Sequence, residues 1–229
     1  MVPINATEIL YTFAMKVIVT GATGYVGEGV LLECLSNEHV EKVLSIGRRP
    51  CGHSHPKLEE YIIGDFMDLQ EGDPKLSGYD AVFFCAGISS VGMKEEKYKI
   101  ISHDIPLHFA SILPDKANMT FIYVSGAGNY NSTTQMWVRV KKSTEDTLAS
   151  MPFKGEFNFR PAIMLWYKGQ KHIQKMQYAF MLFYPLIRLL GGGNTMKEVG
   201  RAMISASING FPGHTVGVYD IIRLSKQLG

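Results

Sequence analysis

The chain has 229 residues, 46% hydrophobic and 19% charged, which is the balance of a folded globular protein and excludes a disordered one. Its length suits one large α/β domain, or one domain with a small appendage. A formal net charge of +2, with Lys and Arg scattered along the chain, gives no electrostatic support for nucleic-acid binding.

Residues 1–14 lack the basic start and long apolar core of a secretory signal, and read as a loose N-terminal extension or a start placed too early. The domain is expected over 15–229. Its first strand, Lys16–Thr20, runs into Gly21-Ala-Thr-Gly-Tyr-Val-Gly27, and apolar residues at helical spacing follow at Val26, Val30, Leu31, Cys34 and Leu35. Strand, glycine turn and helix in that order form the context that gives a dinucleotide fingerprint its meaning. Gly21 permits the tight turn, Gly24 admits a pyrophosphate close to backbone, and Gly27 lets the helix pack on the strand. Thr23, Tyr25 and Val26 complete this cradle, where free N–H groups and the helix dipole favour phosphate.

A second strand is expected at Lys42–Gly47 and ends in Arg48-Arg49, with no acid at the position that would bind a ribose 2′-hydroxyl. Two guanidinium groups there suit a 2′-phosphate, so NADP is expected over NAD. Beyond them, Cys51-Gly-His-Ser-His55 has no matching second ligand cluster and reads as a solvated loop; no metal site is expected. The three cysteines Cys34, Cys51 and Cys85 are too few and too widely spaced for a disulfide framework, which points to a reducing, cytoplasmic setting.

A third strand, Glu60–Gly64, leads to Asp65 and Phe66, placed to meet an adenine ring; Asp65 is equally a helix N-cap by residue type. The fourth, Ala81–Ala86, is a continuous apolar run, as expected of a parallel strand covered on both faces. The small residues Cys85, Ala86 and Gly87 at its end would let a cofactor pass over the sheet edge. A helix is expected over Lys94–Leu113 with a kink at Pro106, a fifth strand at Met119–Val124, a helix at Thr133–Ser150 and a sixth strand at Phe157–Phe159. Strands alternating with helices predict a Rossmann-type, doubly wound parallel sheet, with residues 162–229 adding a small substrate-side region.

The opening Thr20–Gly27 run resembles the short-chain dehydrogenase/reductase superfamily in its extended or atypical branch. The ordered set Ile46-Gly-Arg-Arg49, Gly78-Tyr-Asp-Ala81, Phe159-Arg-Pro-Ala-Ile163 and Thr195–Met203 is similar to the oxidoreductase-like group that contains the Tat-interacting protein. That resemblance implies an NADP-binding fold with reductase, dehydrogenase or epimerase activity. It also implies a Ser–Tyr–Lys constellation, in which Ser steadies the substrate oxygen, Tyr moves a proton, and Lys holds the nicotinamide ribose and lowers the Tyr pKa. Ser125 and Lys141 match the Ser and Lys, but the Tyr position is Trp137. An indole N–H only donates and does not titrate. Tyr130 is a distant substitute on a loop, and Thr133 or Thr134 could bind a polar group.

In the C-terminal third, Tyr178–Ile187 is the most apolar stretch and is too short to span a bilayer. It is expected as a buried helix or an apolar wall of a substrate pocket; Lys171, Lys175 and Arg188 leave peripheral membrane contact as the less favoured reading. Gly191–Gly193 is expected as a flexible break, and Thr195 with Glu198 as a capping box for a helix through Ile208. Three functions stay open: an NADP-dependent oxidoreductase on a small, hydrophobic carbonyl or alcohol; a non-catalytic NADP(H) sensor acting on a protein partner; and, more weakly, a nucleotide-sugar epimerase or dehydratase.

Overall fold

The computed structural model describes residues 14–128, 134–173 and 175–228. Nine strands are found among the described residues: β1 (Met15–Thr20), β2 (Val40–Gly47), β3 (Leu58–Ile62), β4 (Ala81–Phe84), β5 (Thr120–Val124), β6 (Gly155–Phe159), β7 (Ile163–Leu165), β8 (Gly193–Thr195) and β9 (Thr215–Val216). Seven of them form one sheet in the order β3-β2-β1-β4-β5-β6-β9, every pairing parallel. The remaining two, β7 and β8, make a separate parallel pair. The helices are α1 (Tyr25–Ser36), α2 (Glu95–Lys99), α3 (Ile105–Ile112), α4 (Met136–Leu148), α5 (Lys175–Leu189), α6 (Met196–Asn209) and α7 (Val218–Ser225).

Strand side chains alternate between the two faces of the sheet, and this divides the core. Val17, Val19 and Phe83 face one side with Val30 and Leu31 of α1 and Met203 of α6. Ile18, Val82 and Phe84 face the other with Phe109 of α3, Phe121 and Tyr123. The strand order reverses between β1 and β4, and the crevice at their carboxyl ends is where ligands sit in open α/β sheets.

Most expected elements are present, with shifted ends. Backbone pairing extends β2, β3 and β6 toward their amino ends, whereas β4 stops at Phe84 because the Cys85 and Ala86 N–H groups leave the ladder for the Thr20 hydroxyl, each at 3.1 Å. The helix expected across 94–113 has a π turn at Ile100–Asp104 between α2 and α3. Its cause is chemical: Pro106 has no N–H to offer the Ser102 carbonyl four residues back. That carbonyl instead accepts from the Tyr123 hydroxyl at 2.7 Å and the Thr144 hydroxyl at 2.9 Å.

Three expectations are corrected. The Cys51–His55 segment is no solvated loop, for Cys51 is buried and His53 bonds to a buried carboxylate. Gly193 does not belong to a flexible break, since it opens β8. And α5 is not a buried helix: Tyr178, Phe183 and Leu186 are exposed, as is Leu189 at its end. No helix among the described residues is long and apolar enough to cross a membrane. Tyr130, Thr133 and residues 1–13 lie outside the described residues.

Candidate functional site

A cleft of about 410 Å³ opens at the carboxyl ends of β1, β2 and β4. Its floor is the glycine turn. Gly21 has φ +73°, and a Cβ there would lie 2.7 Å from the Ala86 nitrogen, so only glycine fits between β1 and the end of β4. A Cβ at Gly27 would lie 2.2 Å from the Gly21 carbonyl oxygen, so α1 could not start where it does. Gly24 N-caps α1 without a side-chain bond, and its own N–H closes the turn onto Gly21 O at 2.8 Å. The first-turn amides of Tyr25, Val26 and Gly27 have no acceptor one turn back in the helix and form an anion cradle.

Around this floor stand Thr23, Gly47, Arg48, Asp65 and Phe66 on one side, and Cys85, Ala86, Gly87 and Ile88 on the other. Asp65 is the N-cap that its residue type allowed, and it faces the cleft. It caps a short 3₁₀ turn, its carboxylate accepting from the Met67 amide at 3.0 Å. Phe66 packs edge-on against Phe109, ring centroids 5.9 Å apart, which ties the rim to the core. Arg48 lines the cleft; Arg49 is exposed beside it. Burial pushes the Cys85 thiol up to about 12, so it acts as a small wall residue and not as a nucleophile.

Sequence reasoning missed Gly47 and Ile88 on the cleft wall, and four further contributors. Ile100, Ile101 and Ile105 close one wall from the π turn and the start of α3. A regular helix across 94–113 does not bring these three residues out as a cleft wall; the π turn before Pro106 was the missing information. Thr20 is the fourth, fastening the ends of β1 and β4 together, and its signal was its place immediately before Gly21.

At the far end, Ser125 and Lys141 come together. Ser125 is buried beyond β5, its amide donating to Phe159 O at 2.9 Å. Lys141 is buried on α4, its Nζ donating to Val124 O at 3.0 Å and sitting 4.6 Å from the centre of the Tyr123 ring. Burial lowers its pKa to about 8 against the opposing field of Glu145. Glu145, one turn on, is held by Arg160. Trp137 lies one turn before Lys141 and packs against Gly128 so closely that a Cβ on that glycine would come within 2.3 Å of the indole. Indole therefore occupies the position on α4, four residues before Lys141, where the resemblance places a phenol.

The model of the NAD dependent epimerase/dehydratase family matches residues 17–156, from β1 into β6. The chain belongs to this family. Among curated relatives, Protein HTATIP2 of Rattus norvegicus is 26% identical over 153 residues, covering 66% of this chain and 63% of that protein. The mitochondrial protein FMP52 of Chaetomium globosum is 26% identical over 156 residues, covering 65% of each. The matched stretch thus spans just under two thirds of these relatives. Among solved structures, UDP-glucuronic acid 4-epimerase from Bacillus cereus, in complex with NAD, superposes with TM-score 0.65 at 15% identity, over 89% of this chain and 76% of that one. The Helicobacter pylori ADP-L-glycero-D-manno-heptose-6-epimerase gives 0.66 at 15%, over 96% and 84%. These likenesses show the Rossmann fold.

A nicotinamide dinucleotide is the cofactor class of the epimerase/dehydratase family, and the glycine cradle fits one: a Cβ on Gly87 would meet nothing within 4 Å, which leaves that edge open to a ligand. One expectation is overturned by the relatives. The chain was expected in the cytoplasm from its cysteines, but its FMP52 relatives in Chaetomium globosum, Candida glabrata, Neosartorya fischeri and Emericella nidulans are named mitochondrial. Unpaired cysteines report a reducing setting and do not say which compartment supplies it.

Proposed function

We propose that this epimerase/dehydratase-family chain is an NADP-dependent oxidoreductase of the atypical short-chain type, acting on a small hydrophobic carbonyl or alcohol. The observation that carries the cofactor choice is Arg48 on the cleft wall at the end of β2, where the chain has arginines and no acid. In this reading the backbone of Gly21, Gly24 and Gly27 and the amides of Tyr25 and Val26 hold the pyrophosphate. Arg48 and Arg49 hold the 2′-phosphate, and Asp65 meets the adenine with Phe66 beneath it. Cys85, Ala86 and Gly87 carry the dinucleotide over the sheet edge.

Bound NADPH supplies a hydride. Lys141 holds the nicotinamide ribose and Ser125 orients the substrate oxygen. The proton that a phenol would deliver comes from water or another group, because the Trp137 indole does not titrate. Purified protein is expected to bind NADPH more tightly than NADH, followed by Trp137 fluorescence, and to oxidise NADPH with an aldehyde or ketone. A broad carbonyl panel without turnover would remove the catalytic half of this reading.

The packing of Trp137 on Gly128 favours a second reading, a non-catalytic NADP(H) sensor that reports to a protein partner. The exposed apolar residues of α5 offer such a partner a surface. Membrane attachment there is less supported: Lys171 donates to Gly52 O and Arg188 pairs with Glu198, so two of the three flanking cations are engaged.

A further inference from the structure

Glu28 is a carboxylate in the first turn of α1, and its side chain is fully buried. A negative charge at that point opposes the anion cradle formed by the same turn. Yet it is thoroughly satisfied. Oε1 accepts from the Lys171 amide at 2.7 Å and Oε2 from the His172 amide at 2.7 Å. His53 Nε2 lies 2.8 Å from Oε1, and His172 Nδ1 3.1 Å from Oε2. Burial works against the charge, but the two amides and the two imidazoles outweigh it and hold the carboxyl below its ordinary value.

These partners come from two separate segments. His53 belongs to the connection from β2 to β3, five residues after Arg48. Lys171 and His172 belong to the strap between β7 and α5, whose Gln170 also donates to Tyr25 O at 2.8 Å. Lys171 Nζ then reaches the Gly52 carbonyl and closes the ring of contacts. Gly29 has no Cβ, which would lie 3.0 Å from Gln170 Oε1, so the strap approaches α1 closely.

The connection that begins with Arg48 and Arg49 is therefore moored at Cys51, whose amide donates to Glu60 at 2.7 Å, at Gly52 and at His53. Two of these three moorings depend on Glu28, directly or through the Lys171 backbone it holds. The arginines themselves are exposed, and an exposed guanidinium recognises a phosphate only where its backbone is held in place.

We propose that Glu28 is a positioning residue for the 2′-phosphate subsite, holding the Arg48–His53 segment in place through His53 and the Lys171–His172 strap. This rests on the NADP reading above. A purely structural role would weaken every dinucleotide alike; a positioning role acts on the 2′-phosphate alone.

The test is the dissociation constant of NADPH and of NADH for the wild-type chain, Glu28→Ala, His53→Ala and His53→Gln. Glu28→Ala is expected to reduce the NADPH-over-NADH preference about tenfold, with NADH affinity within about threefold of wild type. His53→Ala is expected to give part of that loss without removing the buried charge, and serves where Glu28→Ala does not fold. His53→Gln, which keeps a side-chain donor, is expected to restore it. Equal weakening of both nucleotides, or an unchanged preference in Glu28→Ala or His53→Ala, overturns the inference and leaves the NADP reading intact. A wild-type chain with no preference for NADPH overturns both.

Discussion

At the phosphate end of the cleft, recognition is built from backbone: Gly21, Gly24, Gly27 and the first-turn amides of α1. Around Ser125, Trp137 and Lys141 the proposed site consists of side chains. A backbone site tolerates almost no change, because each glycine is there for lack of space or for its positive φ. A side-chain site can lose one group while its neighbours keep their places. Here Lys141 is anchored beside Ser125 through the Val124 carbonyl, while position 137 on the same helix carries an indole in place of a titrating phenol.

The contrast can be broken first at Gly27. Gly27→Ala places a methyl 2.2 Å from the Gly21 carbonyl oxygen and should cost about 3 kcal/mol or more. A large fall in the urea midpoint together with loss of NADPH binding is expected; a stable, binding variant would show that the turn is softer than its geometry. At the other end, Trp137→Tyr should be tolerated and should raise carbonyl reduction about 100-fold or more, the contribution of a placed general acid. No gain, with dinucleotide binding intact, would mean that more than the phenol has been lost.

Lys141 gives the comparison a pH signature. Its folded-state pKa of about 8 lies below the ordinary 10.5, so the folded chain binds fewer protons than the unfolded one between those values. Its burial thus penalises folding in full below pH 8, and stability should rise by up to about 3 kcal/mol as pH climbs toward 10. Lys141→Met should flatten that rise in urea titrations at successive pH values.

Smaller effects sharpen the picture. Arg48→Ala should weaken NADPH by about tenfold and leave NADH unchanged, measured by fluorescence titration. Smallest, Thr195→Ala removes the hydroxyl that accepts from the Glu198 amide at 3.1 Å and should cost about 1 kcal/mol of unfolding free energy without touching either nucleotide.

Local chemistry was legible where it depends on residues close in sequence. The glycine turn, the capping box of Thr195 and Glu198, the continuous apolar run of β4 and the N-cap at Asp65 all follow from short-range geometry. The carboxyl end of β4 was not legible, because Thr20 withdraws two amides from the ladder across 65 and 66 residues of chain. Nor was the exposure of α5: an apolar run says that a helix has something to cover it, and nothing about whether this chain supplies the cover.

By itself the sequence determined a parallel α/β sheet with a dinucleotide turn at its centre, and the absence of a titrating phenol at position 137. Those are matters of periodicity, spacing and side-chain type. Only the tertiary structure decided that Pro106 opens a π turn whose isoleucines wall the cleft, and that Glu28 gathers two distant loops onto the first turn of α1. Both depend on which groups a freed carbonyl or a buried carboxylate finds across the fold. The cost of leaving them unpaired forces such partnerships, but their identity is set by three-dimensional proximity, which no local pattern encodes.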